Sequence, residues 1–279
     1  MISELEIHGH RGCRGHYPEN TINGFLKAIE LGATTIEMDV VISQDSQVIV
    51  SHEAFMNHEI AKDPLGNPIA KAAELEHNIF KMPYEVIKKY DVGSIPHPRF
   101  QEQKNVIEYK PSLTDLIDTI EHKYPGRIHY NIEIKRNPEH DRIYHPDHKV
   151  FTDLVAQTLI RHQIVARSNL QSFDIQTLQY AKKTYPEIRV ALLIDKISSI
   201  RMNIENLGYQ PEIYSPHYRL LNKEVIDYCK IHKIQLIPWT VNSPRDIRSC
   251  IKMGVDGIIS DYPDRVVKEW TQLNNMDAH

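Results

Sequence analysis

The sequence predicts an α/β fold: a TIM (β/α)8 barrel with a small insertion subdomain after its second strand. Short β-like runs alternate with amphipathic helical runs along most of the chain, as expected for parallel strands joined by helices. The length of 279 residues suits one such barrel, for which roughly 250 residues are typical. Residues 54–111 break the alternation, and we predict that they form the insertion within a single domain spanning residues 1–279.

The first unit of the barrel is predicted from a strand, a helix and their caps. Residues 5–9 form the first strand, and the helix spans residues 21–31, where apolar residues recur every three or four positions. We assign Asn20 as the N-cap of this helix and Gly32 as the residue that follows its C-terminus. Residues 35–41 form the second strand.

The remaining elements continue the same alternation. Further strands are predicted at residues 47–52, 129–134, 166–171, 188–194, 212–215, 235–240 and 255–259. Further helices are predicted at residues 112–123, 149–162, 174–184, 222–232, 246–253 and 264–273. The short strand at 47–52 is additional, so the pattern contains eight barrel strands and seven assigned helices, which we interpret as eight strand–helix units with no helix assigned between residues 194 and 212. An open doubly wound sheet is the alternative, but residues 9–15 lack the spacing of a glycine-rich phosphate loop.

Composition excludes several classes of protein. The formal net charge of −4 provides no basic surface for nucleic acid. The three cysteines form no close pair, which argues against a disulfide framework or a thiolate zinc site. No run reaches the roughly 18 apolar residues of a membrane span, and the first residues lack the pattern of a signal peptide. We expect a soluble protein, cytoplasmic, or periplasmic or secreted if a signal is removed. The oligomeric state is not indicated.

The insertion at residues 54–111 follows the second strand, so we expect it to lie over the C-terminal mouth of the barrel, where TIM-barrel active sites are found. Loops of this length are usually functional or form a subdomain. We interpret it as a lid that shapes substrate choice. The alternative is a structural addition at the rim.

Two carboxylates on the second strand indicate a metal site. Glu37 and Asp39 are two positions apart, so both side chains point to one face, while Ile36, Met38 and Val40 occupy the other. One face of a barrel strand is interior, and unpaired buried carboxylates are costly. A hard divalent cation with oxygen ligands compensates them. Exposed or ion-paired carboxylates are the alternative.

The strand at 129–134 repeats this pattern. Asn131, Glu133 and Lys135 alternate with apolar residues and share one face. Glu133 would be a third oxygen ligand for Mg²⁺ or Ca²⁺. Lys135 supplies a positive charge for a phosphate oxygen, or an ion pair with Glu133 or Asp39, and both roles are compatible.

Two histidines flank the carboxylate pair. His10 and Arg11 follow the first strand, and His52 ends the short strand after the second. One histidine can take a proton from an attacking oxygen while the other protonates the leaving alkoxide. Arg11 can hold a phosphate oxygen bidentately. Trp239 ends the seventh strand and would form a wall of the substrate pocket, with ordinary packing as the alternative.

Seven motifs and a C-terminal eighth resemble those of the glycerophosphodiester phosphodiesterases, in order across nearly the whole chain. They are His10-Arg-Gly12, Pro18-Glu-Asn-Thr21, Glu37-Met-Asp-Val40, Val50-Ser-His-Glu53, Asn131-Ile-Glu-Ile-Lys135, Gln171-Ser-Phe173, Trp239-Thr-Val-Asn242 and Gly254-Val-Asp-Gly-Ile-Ile-Ser-Asp261. The resemblance implies a TIM barrel with an insertion after the second strand. It also implies hydrolysis of a small glycerophosphodiester to an alcohol and glycerol 3-phosphate with one divalent cation.

The resemblance also implies roles for particular residues. The metal ligands map to Glu37, Asp39 and Glu133. The acid and base map to His10 and His52, and the phosphate contacts to Arg11 and Lys135. We expect Glu19 and Asn20 to orient these groups and His8 to be structural.

The chain departs from the family pattern at two positions. The family usually has His-Asp where this chain has His52-Glu53, which leaves the role of Glu53 open. It usually has Asp-Gly where this chain has Asp45-Ser46, which affects only a turn. Two other functions stay open: a phospholipase D acting on lysophospholipids or sphingomyelin-like lipids, and a phosphoester-binding protein without catalysis.

Overall fold

Eight parallel strands form a nearly closed barrel in the structure, a computed structural model that describes residues 5–277. The predicted α/β barrel is therefore confirmed. Neighbouring strands follow the order β8-β7-β6-β5-β4-β2-β1-β9, and β3 pairs antiparallel with β2. The strands are β1 (Glu6–His10), β2 (Thr35–Ile42), β3 (Val48–Val50), β4 (His129–Ile134), β5 (Ser168–Ser172), β6 (Arg189–Ile194), β7 (Ile213–Pro216), β8 (Gln235–Leu236) and β9 (Gly257–Ser260).

Helices connect the strands and cover the outside of the barrel. They are α1 (Ile22–Glu30), α2 (Tyr84–Ile87), α3 (Leu113–Lys123), α4 (His148–Arg161), α5 (Ile175–Thr184), α6 (Ile200–Leu207), α7 (Lys223–His232), α8 (Pro244–Met253) and α9 (Pro263–Asp277). The sequence analysis did not assign α6, although Ile200, Ile204 and Leu207 recur at helical spacing. The short helix α2 lies inside the insertion and was not predicted either.

The barrel closes between β8 and β9. The backbone N–H of Asp256 donates to the carbonyl of Leu236 (3.0 Å), and Ile259 N–H donates to Pro238 O (3.0 Å). The regular strand β8 ends at Leu236, four residues before its predicted end at 240. Proline at 238 has no N–H to donate, so it interrupts the regular pattern. Trp239 N–H still donates to Pro216 O of β7 (3.1 Å), which keeps this segment in the wall.

The N-terminus of α1 differs from the prediction. Thr21, not Asn20, is the N-cap, and its hydroxyl accepts a hydrogen bond from Gly24 N–H (3.2 Å). Asn20 adopts a left-handed backbone conformation with φ 55°, and its side chain is directed to Asp39. Sequence alone favours either residue as a cap. Gly32 has φ +98° and follows the helix as predicted, because only glycine adopts this conformation without strain.

The interior of the barrel has an apolar side and a polar side. Ala191, Ile213, Ile237 and Ile259 form an apolar cluster on the side of β6, β7, β8 and β9. The strands β1, β2, β4 and β5 instead supply the polar interior side chains. These are His8, His10, Glu37, Asp39, Asn131, Glu133, Asn169 and Gln171. The polar side of the interior is therefore where the site develops.

The segment after β3 has a small core of its own. Its buried residues include Met56, Ile79 and Ile87, and they pack with Val41 of β2 and Ile49 of β3. The core of this segment is thus continuous with the barrel strand β2 and its antiparallel partner β3.

The same segment reaches the loop that follows β1. Gln103 Nε2 donates to Arg14 O (2.7 Å), and Lys104 N–H donates to His16 O (2.9 Å). These contacts place part of the insertion beside the C-terminal mouth of the barrel.

Candidate active site

Three carboxylates meet inside the barrel because of strand register. Glu37 and Asp39 lie on β2, and Asp39 is directly opposite Glu133 on β4. One oxygen of each lies within 4.8 Å of the others, and all three residues are buried. Burial and the charges of Asp39 and Glu133 raise the pKa of Glu37 well above its usual range. The three groups therefore repel one another, and together they favour a cation.

The donor set fits a hard divalent cation. All three candidate ligand atoms are carboxylate oxygens, which suit Mg²⁺ or Ca²⁺ better than softer metals. Asp39 Oδ1 is buried and has no hydrogen-bond partner among the residues that the structure describes. A buried acceptor without a partner is costly, and a cation between the carboxylates would satisfy it.

Neighbouring groups hold the other carboxylate oxygens. Gln171 Nε2 donates to Glu37 Oε1 (2.7 Å), and the backbone N–H of Arg11 donates to Glu37 Oε2 (2.9 Å). Arg11 has a left-handed backbone, φ 51°, that directs this N–H toward the carboxylate. Asn20 Nδ2 donates to Asp39 Oδ2 (3.0 Å). These contacts fix the orientation of Glu37 and Asp39.

The two histidines line one cavity with the carboxylates. His10, the last residue of β1, has its Nδ1 2.6 Å from Asp261 Oδ1 and its Nε2 4.0 Å from Glu37 Oε2. Burial lowers the pKa of His10 to about 4, although the charge of Asp261 opposes this shift. His52, two residues after β3, has its Nδ1 2.6 Å from Glu53 Oε1. Each ring therefore uses Nδ1 for a carboxylate.

The two predicted phosphate-binding cations are already paired with carboxylates. Arg11 Nη1 lies 2.8 Å from Glu19 Oε1, and its Nε lies 3.1 Å from Asp39 Oδ2. Burial opposes the charge of Arg11, but Glu19 and Asp39 outweigh it and raise the pKa of the guanidinium. Lys135 Nζ is 2.9 Å from Glu133 Oε1 and 3.8 Å from Asp39 Oδ1. Both cations thus lie beside the carboxylate trio.

The cavity has a volume of about 320 Å³, within the range of small-molecule sites. Its walls are His10, Arg11, Arg14, Glu37, His52, Glu53, Arg99, Glu133, Lys135, Gln171, Phe173, Leu193, Trp239, Thr240 and Ile259. The structure thus brings every predicted site residue except Asp39 into its lining, and Asp39 forms an ion pair with the lining residue Arg11.

One wall of the cavity is aromatic. The Trp239 ring meets Phe173 edge to face at 5.6 Å between centroids, and its Nε1 donates to Ser215 O (2.9 Å). Arg99 of the insertion lines the cavity as well. The cavity therefore combines charged walls with one apolar wall.

Sequence reasoning missed several residues of this site. Asp261 and Gln171 stood in recognised motifs but received no role, because no local pattern shows what they contact. Arg14 carried no signal, yet its Nε donates to Asp261 Oδ1 (2.9 Å). His8 lies deeper in the barrel, bonded to Glu6 (3.1 Å). The interpretation of His8 as structural agrees with this position.

Comparisons with known proteins give a consistent result. The model of the "Glycerophosphoryl diester phosphodiesterase family" matches residues 10–265. A glycerophosphodiester phosphodiesterase of Caldanaerobacter subterraneus subsp. tengcongensis is 30% identical over 260 residues, which cover 92% of this chain and 94% of the relative.

Solved structures of similar proteins share the fold. A protein from Silicibacter pomeroyi DSS-3, named provisionally as a glycerophosphoryl diester phosphodiesterase, has a TM-score of 0.88 at 25% identity, covering 98% of this chain and 95% of that one. An Oleispira antarctica phosphodiesterase, solved with its product sn-glycerol-3-phosphate, has a TM-score of 0.76 at 21% identity, covering 96% and 97%. Within residues 5–277, none of the helices is long and apolar enough to span a membrane.

Proposed function

We propose a function on one premise: this chain belongs to the glycerophosphoryl diester phosphodiesterase family and is an enzyme of that family. It hydrolyses a small glycerophosphodiester to an alcohol and sn-glycerol 3-phosphate. One observation carries the proposal: a trio of buried carboxylates and two histidines share one cavity. The product found in the Oleispira protein is consistent with it.

Glu37, Asp39 and Glu133 would hold one divalent cation, Mg²⁺ or Ca²⁺. Their convergent oxygens and the unpartnered Asp39 Oδ1 support this assignment. Such a cation, when bound, supplies Lewis-acid polarisation of a phosphate oxygen. Lys135 and Arg11 add positive charge on the same side of the cavity, where they would bind the other phosphate oxygens.

The histidines would transfer the protons. The 2-hydroxyl of the glycerol moiety attacks phosphorus, and one histidine accepts its proton while the other protonates the leaving alcohol. Water then opens the resulting cyclic phosphate, with the two proton transfers reversed. His10 and His52 suit these roles because each uses only Nδ1 in its carboxylate contact, which leaves Nε2 for the substrate.

The insertion, residues 54–111, would act as a lid. Its Arg99 lines the cavity, and its Gln103 is tied to the loop after β1. We also propose that the whole chain is a single domain, because the core of the insertion includes Val41 of the barrel strand β2 and Ile49 of the adjoining β3. Trp239 would contact the part of the substrate away from phosphate.

A matched pair of variants tests the metal and the reaction together. We expect Glu37→Gln to lower kcat/KM on glycerophosphocholine about a thousandfold, because metal ligation supplies several kcal/mol of transition-state stabilisation. Mg²⁺ or Ca²⁺ should raise the melting temperature of the wild type only.

The control for this experiment is Glu139→Gln, which neutralises an exposed carboxylate on the loop after β4. It should match the wild type in activity and in melting temperature with and without cation. Full activity of Glu37→Gln, or no effect of either cation on wild-type stability, would contradict the proposed site.

A second candidate, a phospholipase D acting on lysophospholipids, is favoured by one observation. Phe173, on the loop after β5, is 40% exposed and packs against Trp239 in the cavity wall. A free 2-hydroxyl is required by the mechanism above, so a lyso lipid would be cleaved and a diacyl lipid would not. Turnover of lysophosphatidylcholine, measured as released choline, tests this candidate.

A further inference from the structure

Asp261 is held rigidly beneath His10 by donors from three directions. Its Oδ1 lies 2.6 Å from His10 Nδ1 and accepts from Arg14 Nε (2.9 Å). Its Oδ2 accepts from Asn242 Nδ2 (2.7 Å) and more distantly from Arg14 Nη2 (3.4 Å). Asp261 N–H in turn donates to Asn242 Oδ1 (2.9 Å). The carboxylate is 1% exposed, so its direction is set by these contacts and not by solvent.

These contacts determine which nitrogen of His10 carries the proton. Burial alone would raise the pKa of Asp261, but the charges of His10 and Arg14 outweigh it and hold the pKa well below its usual range. An ionised carboxylate can only accept hydrogen bonds, so His10 Nδ1 is the donor in the 2.6 Å contact, while Arg14 Nη2 approaches the same nitrogen only at 3.4 Å. The lone pair of the neutral ring is therefore on Nε2, the atom that faces Glu37 at 4.0 Å.

The two histidines differ in their surroundings. The His10 side chain is 11% exposed and that of His52 is 28% exposed. The partner of His52, Glu53, has one buried oxygen without a hydrogen-bond partner in the described part of the chain, whereas both oxygens of Asp261 are bonded. His10 is thus the deeper and more firmly oriented ring, next to the carboxylate trio.

We propose that Asp261, supported by Arg14 and Asn242, is a positioning residue that keeps the Nε2 lone pair of His10 directed at the attacking hydroxyl. This proposal rests on the proposed function. The hydroxyl O–H bond breaks, its proton moves to Nε2, and its electron pair forms the new bond to phosphorus. The imidazolium that results is stabilised by the charge of Asp261. His52, nearer to solvent, then protonates the departing alcohol.

The test compares two substitutions of the same type. In Asp261→Asn, the new amide can donate to Nδ1 and select the opposite tautomer, so we expect kcat to fall by about two to four orders of magnitude. KM should change less than threefold, because Asp261 does not reach the cavity lining. Asp264→Asn removes a similar contact, His16 Nε2 to Asp264 Oδ1 at 2.9 Å, outside the cavity. This control should retain wild-type kcat.

A measurement on the wild type covers the case in which Asp261→Asn does not fold. Protein labelled with nitrogen-15 histidine is measured by NMR, and the His10 signals are assigned as those that are lost in His10→Gln. They should show a neutral ring with its proton on Nδ1. A proton on Nε2, or a folded Asp261→Asn with more than half of the wild-type kcat, would overturn the proposal. Failure of the wild type to hydrolyse glycerophosphodiesters would instead count against the proposed function, and the NMR result would still report the tautomer.

Discussion

The two candidate catalytic histidines share one contact, a carboxylate at Nδ1, although the carboxylates come from distant parts of the chain. Nδ1 of His10 and Nδ1 of His52 each lie 2.6 Å from a carboxylate oxygen, supplied by Asp261 and by Glu53. The resemblance to the phosphodiesterases left Glu53 without a role, because the family usually has aspartate there. The longer side chain nevertheless reaches the ring of the adjacent histidine, so the departure preserves the contact.

We therefore predict that Glu53→Gln lowers kcat about 10- to 100-fold, as loss of an orienting carboxylate typically does. The amide would bind the protonated ring of His52 less strongly than the carboxylate does. Glu53→Asp should recover part of the lost kcat. Steady-state kinetics on glycerophosphocholine measures both. Glu74→Gln is the matched control, since Glu74 Oε2 lies 2.6 Å from Nδ1 of His58 in the insertion. Equal rates for Glu53→Gln and Glu74→Gln would exclude the role.

Single residues were predictable where their chemistry is local. Glu37, Asp39 and Glu133 followed from alternation along two strands, and the structure places their oxygens within 4.8 Å. The ion pair of Lys135 with Glu133 was also expected from their spacing. Arg14 was not found, because an arginine in a loop has many possible partners and only the folded chain selects Asp261.

At the scale of elements, polar side chains connect strands across the floor of the barrel. His8 Nε2 of β1 lies 3.1 Å from Glu6 Oε2, and Gln235 Nε2 of β8 donates to Glu6 Oε1 (3.0 Å). Asn131 of β4 contacts His8 Nδ1 (3.3 Å) and accepts from Asn169 of β5 (2.5 Å). The floor thus joins strands that are distant in sequence.

This network predicts a pH dependence of stability. Burial would raise the pKa of Glu6, but the hydrogen bond and charge of His8 and the hydrogen bond of Gln235 outweigh it and lower the pKa to about 2. The contribution of Glu6 is therefore complete above about pH 4.5 and is lost as the pH falls toward 2. Glu6→Gln should be less stable than the wild type at pH 7, and the difference should shrink between pH 4.5 and 2.

Urea unfolding at pH 7, 4.5 and 3 measures this difference. Lys27 and Glu30 form an exposed pair on α1, so Glu30→Gln is a suitable control with a small effect at each pH. If the difference in the free energy of unfolding between the wild type and Glu6→Gln is the same at all three pH values, the predicted link between Glu6 ionisation and stability is contradicted.

Regular elements were predicted within a few residues, whereas their irregular ends were not. The strand β4 has the predicted limits, 129–134, because its alternation is uninterrupted. The cap of α1 and the end of β8 were wrong, since Asn20 bonds to Asp39 and Pro238 interrupts the strand. Local propensity does not contain these tertiary contacts.

For the whole molecule, the shared core implies that the barrel and the insertion unfold together. Ile79 is 0% exposed and packs in the core that includes Val41 and Ile49 of β2 and β3. Ile79→Ala should lower the free energy of unfolding by about 2–5 kcal/mol, because it leaves a cavity. Far-UV circular dichroism and tryptophan fluorescence should show one coincident transition at reduced denaturant concentration.

Ile107→Ala is the matched control, because Ile107 is 83% exposed in the same segment. Its effect should stay within about 0.5 kcal/mol. Both tryptophans, Trp239 and Trp270, lie outside the insertion. If the unfolding transition followed by tryptophan fluorescence has the same midpoint in Ile79→Ala as in the wild type, the insertion unfolds separately from the barrel.

The amino-acid sequence by itself determined the barrel, the carboxylate trio and the two histidines, because alternation along strands and the spacing of helices are local properties. The tertiary structure decided which groups orient them. Asp261 is 251 positions from His10, and the two meet because β9 pairs with β1 as the barrel closes. Contacts of that kind depend on closure and on side-chain geometry, which no single stretch of sequence encodes.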